Sequence, residues 1–186
     1  MDIGKSFGYV FQDEEWITKV LLGGVIFLIP IVGQLVVLGY MLKVAQNVAQ
    51  GNPRPLPTWN EFGDHLVRGL YGFVIELVYF IPYIVIAVLF SCVGILLSAG
   101  SRSSSGASAA GTLFSLILVP IYLIVAIACV TVAYAALARF VATNNLSEAL
   151  KFGEVIASVR NNARPWLMLL LAGLLAGLVG GVGLIA

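Results

Sequence analysis

Charge is scarce in this sequence, and its scarcity is the best guide to where the chain resides. Only 10% of the 186 residues are charged, whereas 60% are hydrophobic. A soluble globular domain has about 25% charged residues, so a soluble fold of this size could not cover its surface. The formal net charge is +1, and the sequence lacks the basic patch that nucleic-acid binding requires.

Histidine and cysteine are nearly absent as well, which removes most metal and cofactor chemistry. His65 is the sole histidine, and no carboxylate or thiol cluster has the spacing of metal ligands. The serines at 101 to 105 have no histidine near them in sequence, which argues against a serine triad. Cys92 and Cys129 lie within apolar runs and suit small packing residues. We therefore expect no enzyme activity, no cofactor and no metal site, and we expect His65 to be solvated on a polar helix face.

Long apolar runs are what the sequence has in abundance. The stretches 70–97, 111–138 and 165–186 contain a single charged residue between them, Glu76. Because about 20 apolar residues cross the hydrocarbon core as a helix, each stretch qualifies as a span. The pattern predicts an all-α fold, a polytopic transmembrane helical bundle with about four or five membrane helices that are kinked at prolines. The best-defined spans are placed at 70–99, 111–140 and 165–186.

The first apolar region, 16–50, is divided by Pro30 and Gly33. Proline cannot donate a helical hydrogen bond and clashes with the preceding turn, so we predict a broken pair of helical pieces with a sharp bend. Whether this pair crosses the membrane once or forms a hairpin stays open. The segment before it, 1–15, is acidic and aromatic, which is typical of an interfacial segment and not of a secretory signal.

Two connections, 51–69 and 144–164, are flanked by most of the lysine and arginine residues. The positive-inside rule places both in the cytoplasm and the serine-rich loop 100–110 outside. We therefore expect a multi-pass protein of the prokaryotic cytoplasmic membrane. Tryptophans near the predicted boundaries are the expected interfacial anchors: Trp16, Trp59 and Trp166.

Each of these connections contains an amphipathic pattern that predicts a helix on the cytoplasmic surface of the bilayer, at 58–69 and at 145–162. Thr58 and Asn145 each stand three residues before a glutamate, the spacing of a capping box. Both helices also contain a Phe-Gly-acid triplet, and one interpretation is a duplicated unit of span, surface helix and span.

Glu76 and a set of glycines are the candidate functional residues. An intramembrane carboxylate is costly and is therefore either paired or functional. Arg139, near the inner end of the next span, is the expected partner for Glu76, and the alternative is a proton, ion or substrate role. Small residues that recur every four positions allow helices to approach closely in lipid. They form the candidate helix-packing face of the last span: Gly173, Gly177 and Gly181.

The stretch GNPRPLPTW, together with the apolar sequence around it and the later ARFVATNNLSEALKFGEVIASVRNN, resembles the uncharacterised prokaryotic membrane-protein family catalogued as domain of unknown function 4013. More distantly, the chain is similar to membrane domains attached to some glycerophosphodiester phosphodiesterases. The resemblance covers nearly the whole chain. It implies a multispanning helical fold without an established activity, so no catalytic residue is carried over. Family members usually continue into a closing hairpin, which implies that the C-terminus at Ala186 is incomplete.

Together these features describe a single integral membrane domain, 1–186. They favour a non-enzymatic accessory, scaffold or assembly subunit that packs against other membrane proteins, or associates with itself through the glycine-rich last helix. The alternative is a small transporter or channel that uses Glu76, and a distant third is a membrane-lipid headgroup enzyme or its membrane anchor. A water-accessible cavity containing Glu76 would favour transport, whereas a solid interior with an exposed glycine face would favour assembly.

Overall fold

The computed structural model of the chain describes residues 13–100, 106–162, 164–171 and 173, and in this part every regular element is a helix and no strand occurs. The all-α prediction is confirmed. Residues 164–171 are also helical. The helices in chain order are α1 (Trp16–Phe27), α2 (Val32–Ala49), a 3-10 turn (Trp59–Glu61), α3 (Phe62–Gly100), α4 (Gly106–Thr143), α5 (Leu146–Ala149) and α6 (Phe152–Asn161).

The two longest helices, α3 with 39 residues and α4 with 38, continue through Pro82 and Pro120. The stretch Trp59–Leu96, which comprises the 3-10 turn and most of α3, and the stretch Leu116–Thr143 of α4 are long and apolar enough to cross a membrane. Only 11% of each apolar window is buried, whereas an apolar helix in the core of a soluble protein would be buried on most sides. The two helices therefore indicate association with a membrane.

Two candidate spans within the described residues are fewer than the four or five that the sequence predicts. Helix α1 is apolar but has 12 residues, a rise of about 18 Å against the roughly 30 Å of hydrocarbon. The second half of α2 carries Lys43, Gln46 and Asn47, which lower its apolar character. The predicted last span, 165–186, lies mostly outside the described residues.

The chain bends sharply between α1 and α2, where the sequence predicts a division at Pro30 and Gly33. Ile31 has a φ of 64°, an uncommon conformation for a β-branched residue. A Cβ at Gly33 would lie 1.8 Å from the carbonyl oxygen of Ile26. Glycine at position 33 is therefore what allows the end of α1 and the start of α2 to lie against each other.

Helices α2 and α3 cross at a pair of glycines. A Cβ at Gly39 would lie 1.8 Å from the carbonyl oxygen of His65, and a Cβ at Gly69 would lie 1.8 Å from the carbonyl oxygen of Leu35. Backbones can approach this closely only where both helices carry small residues, the packing that is typical of membrane helices. This crossing fixes the position of α2 on α3.

The interior of the bundle lies between α3 and α4 and is closed at one end by α5 and α6. Tyr79 of α3 donates a hydrogen bond from its hydroxyl to the carbonyl oxygen of Ala149 (2.8 Å). Val155 of α6 is fully buried against the same interior. The buried residues of this cluster are Leu42, Ile75, Tyr79, Ala133, Ala135, Ala136, Leu137, Phe140, Val141, Ala149 and Val155.

The end of α2, the start of α3 and the end of α4 meet at one end of the bundle. Lys43, Arg68 and Asn144, one from each region, line a single pocket of 260 Å³. Arg68 Nη1 donates to Gln46 Oε1 (2.9 Å), and Gln46 Nε2 donates to the carbonyl oxygen of Val141 (3.4 Å). Both polar connections therefore leave from the same end of the bundle.

The structure differs from the prediction of a separate surface helix at 58–69. A 3-10 turn leads directly into α3, which begins at Phe62 and continues without a break past the predicted boundary. Thr58 makes no side-chain cap hydrogen bond, so the capping box predicted there is absent. The segment 145–162, predicted as one surface helix, forms α5 and α6 with a break between them.

Candidate functional site

The segment 53–57, which we call the proline connector, joins α2 to the 3-10 turn. Its prolines lack an N–H and favour an extended backbone, so its carbonyls need donors from outside. Side chains of α1 and α2 supply a hydrogen bond to each of three successive carbonyls: Pro55 O from Asn47 Nδ2 (2.9 Å), Leu56 O from Lys19 Nζ (3.3 Å) and Pro57 O from Tyr40 Oη (3.4 Å). The proline connector thereby holds the first two helices together.

An aromatic cluster continues the connector into α3. The rings of Tyr40 and Trp59 stack with centroids 4.1 Å apart, and His65 packs edge-on against both. Trp59 Nε1 also donates to the carbonyl oxygen of Lys19 (3.0 Å). Trp59, predicted to be an interfacial anchor, thus binds α1 and α2 to each other.

His65 is not the solvated histidine that the sequence predicts. Its exposed fraction is 1%, and its Nε2–H donates to the carbonyl oxygen of Thr58 (3.0 Å). The prediction is wrong because α2 covers the face of α3 that a surface helix would have turned to water. The close approach at Gly39, whose absent side chain faces the His65 carbonyl, brings that cover into place.

Lys19 is neutralised within the chain. Its Nζ lies 2.7 Å from Oδ2 of Asp13, which is itself 4% exposed. The hydrogen bond from Lys19 is the main cause that lowers the pKa of Asp13, against the opposing effect of burial. With a carboxylate and the Leu56 carbonyl as acceptors, Lys19 serves as a cross-link between α1 and the proline connector.

An apolar cleft of 590 Å³ separates α1 from the face of α2, and we call it the α1–α2 cleft. Its one charged lining residue is Lys19, which is already paired. Two glycines border it: Gly23 accommodates the ring of Trp59, with a Cβ position 3.0 Å from Cζ2, whereas a Cβ at Gly24 would meet nothing within 4 Å. The cleft is therefore open on its glycine side and offers no free charge.

A second groove, of 630 Å³, contains Glu76, and we call it the Glu76 groove. Glu76 is half-buried and is the one charged residue that lines it. The aromatic side chains of Tyr134 and Trp166 lie in the same lining. The other lining residues are Leu38, Met41, Leu42, Ala45, Ala49, Leu137, Ala138, Val141, Ala142, Pro165 and Leu169.

Arg139 does not pair with Glu76, which corrects the sequence-based expectation. Its Nη2 contacts the carboxylates of Glu148, at 3.4 Å, and of Glu154, in a shorter ion pair. Both acids follow the end of α4 and are brought back to it by the turn into α5 and α6. Glu76 makes no ion pair and no hydrogen bond with the residues that the structure describes. A local pairing therefore replaces the pairing between spans that the sequence suggested.

The turn after α4 is stabilised by a cap and by this charge cluster. Asn145 caps α5 by accepting a hydrogen bond from Ser147 N (3.0 Å). Glu148, the other half of the predicted capping box, instead accepts from Lys151 Nζ (2.6 Å). This hydrogen bond is the largest cause of two pKa shifts: it lowers the pKa of Glu148 and raises the pKa of Lys151.

The glycine face predicted in the last span is described only at Gly173, where a Cβ would meet nothing within 4 Å. Gly177 and Gly181 lie outside the described residues. The close glycine packing that is observed lies at Gly39 and Gly69, which sequence reasoning missed. The signal that could have found it is that each is a glycine inside an otherwise apolar helix, where glycine is unfavourable by about 1 kcal/mol without a packing reason.

The remaining two tryptophans pack against the buried clusters. Trp16 is half-buried against the cluster formed by Tyr40, Val44 and Leu56, and Trp166 packs against the bundle interior. Cys92 and Cys129 are free thiols; Cys92, predicted to be a packing residue, is exposed, and Cys129 is half-buried. Within residues 13–100, 106–162, 164–171 and 173, no three His, Cys, Asp or Glu residues lie together as a metal site would require.

Comparison with known proteins gives one family. The family described as "Protein of unknown function (DUF4013)" matches residues 22–186. No curated protein and no solved structure matches the chain, so the more distant similarity to glycerophosphodiester phosphodiesterase membrane domains has no support from these comparisons.

Proposed function

We propose that this chain, which belongs to the DUF4013 family, is a non-enzymatic accessory subunit of a membrane complex and receives an apolar transmembrane helix of another protein in the α1–α2 cleft. The observation that carries the proposal is the open glycine border of that cleft at Gly24. Association between helices in lipid depends on close backbone packing at small residues, because burial of apolar surface gives no drive there.

The charges around the cleft favour an uncharged helix as the occupant. Lys19 forms an ion pair with Asp13 and a hydrogen bond with the proline connector. Its charge is therefore already compensated without an acidic residue from a partner. Helix α1 contains no buried residue and exposes large apolar side chains such as Leu21 and Val25. An added helix would cover this side of α1 and fix it against the bundle.

The proposed placement is multi-pass, with α3 and α4 crossing the cytoplasmic membrane. The proline connector and the segment of α5 and α6 leave from one end of the bundle, and the lysine and arginine residues concentrate there. The positive-inside rule then places that end in the cytoplasm and the serine-rich loop outside.

A photo-crosslinking amino acid at position 24 tests the accessory role in native membranes. We expect a discrete protein adduct whose mass identifies a second, different subunit. The matched control is position 94 of α3, where a Cβ also meets nothing within 4 Å, and which we expect to give no discrete adduct. Gly24→Leu should remove the partner on purification in mild detergent, whereas Gly94→Leu should retain it.

Two outcomes would overturn this proposal. An adduct of twice the mass of the chain would assign the cleft to self-association. Equal labelling at positions 24 and 94, with only lipid attached, would leave the cleft without a protein partner. Because neither glycine has a neighbour to displace, both leucine variants should keep the thermal stability of the parent chain.

Transport is a second candidate function, and the Glu76 groove favours it. Glu76 lies within the candidate span Trp59–Leu96 and lines an apolar groove, and an intramembrane carboxylate is typical of an ion or substrate path. We expect Glu76→Gln to abolish any solute movement through reconstituted vesicles that the parent protein supports. Glu61→Gln, at an exposed residue of the 3-10 turn, is the matched control.

A further inference from the structure

We infer that the Glu76 groove is a binding site for a hydrophobic monocation, an organic ion whose single positive charge is carried on an apolar body. The inference is independent of the accessory role proposed for the α1–α2 cleft. It supplies a ligand class for the transport candidate without requiring that transport occurs.

The carboxylate is the first step of the argument. Glu76 is half-buried and has no hydrogen-bond or ion-pair partner among the described residues. Arg139, the partner that the sequence suggested, is engaged by Glu148 and Glu154. A charge in a low-dielectric environment is costly unless it is paired. A ligand that brings one positive charge into the groove would compensate that cost, and an anion would increase it.

The lining of the groove is the second step, because it selects an apolar body. Apart from Glu76, the lining is aliphatic or aromatic. The volume of 630 Å³ falls within the roughly 300–1,000 Å³ of small-molecule sites. Tyr134 and Trp166 add ring faces that attract cations. An uncharged lipid chain would fit the walls but would leave the carboxylate unpaired.

A metal ion is a poor occupant for the same groove. Glu76 offers at most two carboxylate oxygens, whereas calcium takes six to eight oxygen ligands. No other residue of the lining carries a carboxylate, an imidazole or a thiol. The geometry therefore favours an organic cation, which needs one counter-charge and no defined coordination shell.

Equilibrium binding of tetraphenylphosphonium to the purified full chain in lipid nanodiscs tests the inference. Triphenylphosphine oxide, a neutral molecule with the same phenyl rings, is the probe control. We expect saturable binding of the cation and a loss of at least about tenfold in affinity for Glu76→Gln, which corresponds to about 1.4 kcal/mol. Glu61→Gln, outside the groove, should bind as the parent does.

Further variants keep the test decisive if the glutamine variant folds poorly. Glu76→Asp retains the charge and should retain binding within a few-fold, and Trp166→Leu should weaken binding without abolishing it. Equal binding by the parent and Glu76→Gln, or equal binding of the neutral probe, would overturn the inference. A protein adduct from a photo-crosslinker at Leu169, lost in Glu76→Gln, would also overturn it by assigning the groove to a partner helix.

Discussion

Gly39 of α2 and Gly69 of α3 face each other so closely that a Cβ at Gly39 would lie 2.7 Å from the backbone nitrogen of Gly69. The atoms on both sides of this contact belong to backbone, which cannot rotate away as a flexible side chain can. The crossing positions α2 over His65 and brings Tyr40 against Trp59. The glycine pair therefore determines whether the aromatic cluster and the proline connector can form.

Gly39→Ala and Gly69→Ala should each destabilise the protein. The added methyl group would lie 1.8 Å from a backbone carbonyl oxygen, so the helices must separate. Overpacking of this kind costs about 1–3 kcal/mol and sometimes more. We expect the midpoint of thermal unfolding in mild detergent to fall by about 5–10 °C, measured as the loss of monodisperse protein after heating.

Gly63→Ala is the matched control for these variants. Gly63 lies in the first turn of α3, and a Cβ there would meet nothing within 4 Å. Alanine is favoured over glycine in a helix by about 0.5–1 kcal/mol, so this variant should be as stable as the parent or slightly more stable. A midpoint for Gly39→Ala equal to that of Gly63→Ala would contradict the glycine crossing.

Asn47→Ala should loosen the proline connector. The substitution removes the donor to the carbonyl oxygen of Pro55, a residue that is fully buried. A buried acceptor without a partner costs about 1–3 kcal/mol, so we expect a lower unfolding midpoint and faster proteolysis between α2 and α3. Asn60→Ala, at an exposed position of the 3-10 turn, should change stability by less than about 0.5 kcal/mol.

The parts of the fold that could be predicted from the sequence are those set by local chemistry. The helix break near Pro30 depends on the ring of one residue, and the cap at Asn145 depends on a side chain two residues from its donor. The apolar length of α3 and α4 is a property of composition. Each of these features needs no knowledge of which helices touch.

The features that could not be predicted depend on contacts between distant segments. His65 shares the polar face of the predicted helix with Asp64 and Arg68, and it is buried because α2 packs over it. Arg139 could pair with Glu76 of α3 or with the two acids that follow α4. In the folded chain it lies against the latter two, Glu148 and Glu154. The amphipathic pattern at 58–69 predicts a helix, and α3 is helical from Phe62. The face that packs on α2, however, contains His65 and Gly69, whereas Phe62 and Leu70 of the predicted apolar face are exposed.

Acid should destabilise the folded chain through two carboxylates that are paired in it. The pKa of Asp13 is lowered from 3.8 by Lys19, and the pKa of Glu148 is lowered from 4.5 by Lys151 and then by Arg139. A depressed pKa contributes stability that is fully present above the ordinary value and is lost as the pH falls through the folded value. The unfolding midpoint should therefore fall steadily as the pH decreases below 4.5.

Asp13→Asn and Glu148→Gln provide the check on this pH dependence. Each variant should unfold at a lower temperature than the parent at neutral pH and should show a flatter profile in acid, because one of the linked protons is gone. The double variant should be flatter still. Linkage predicts different profiles for the parent and the double variant. If both lose stability in parallel between pH 5 and pH 3, the two ion pairs do not cause the acid sensitivity.

Cysteine labelling in intact cells should place the 3-10 turn that follows the proline connector and the α5–α6 segment on the same side of the membrane. In a background with Cys92→Ala and Cys129→Ala, we expect cysteines at the exposed positions 60 and 157 to react with a membrane-impermeant maleimide only after the cells are opened. A cysteine at position 104, in the serine-rich loop, should react in intact cells.

The physical reason is the shared end of the bundle, where Gln46 of α2 bonds both to Arg68 of α3 and to the Val141 carbonyl of α4. Labelling of positions 60 and 157 from opposite sides of the membrane would contradict this arrangement of the three helices.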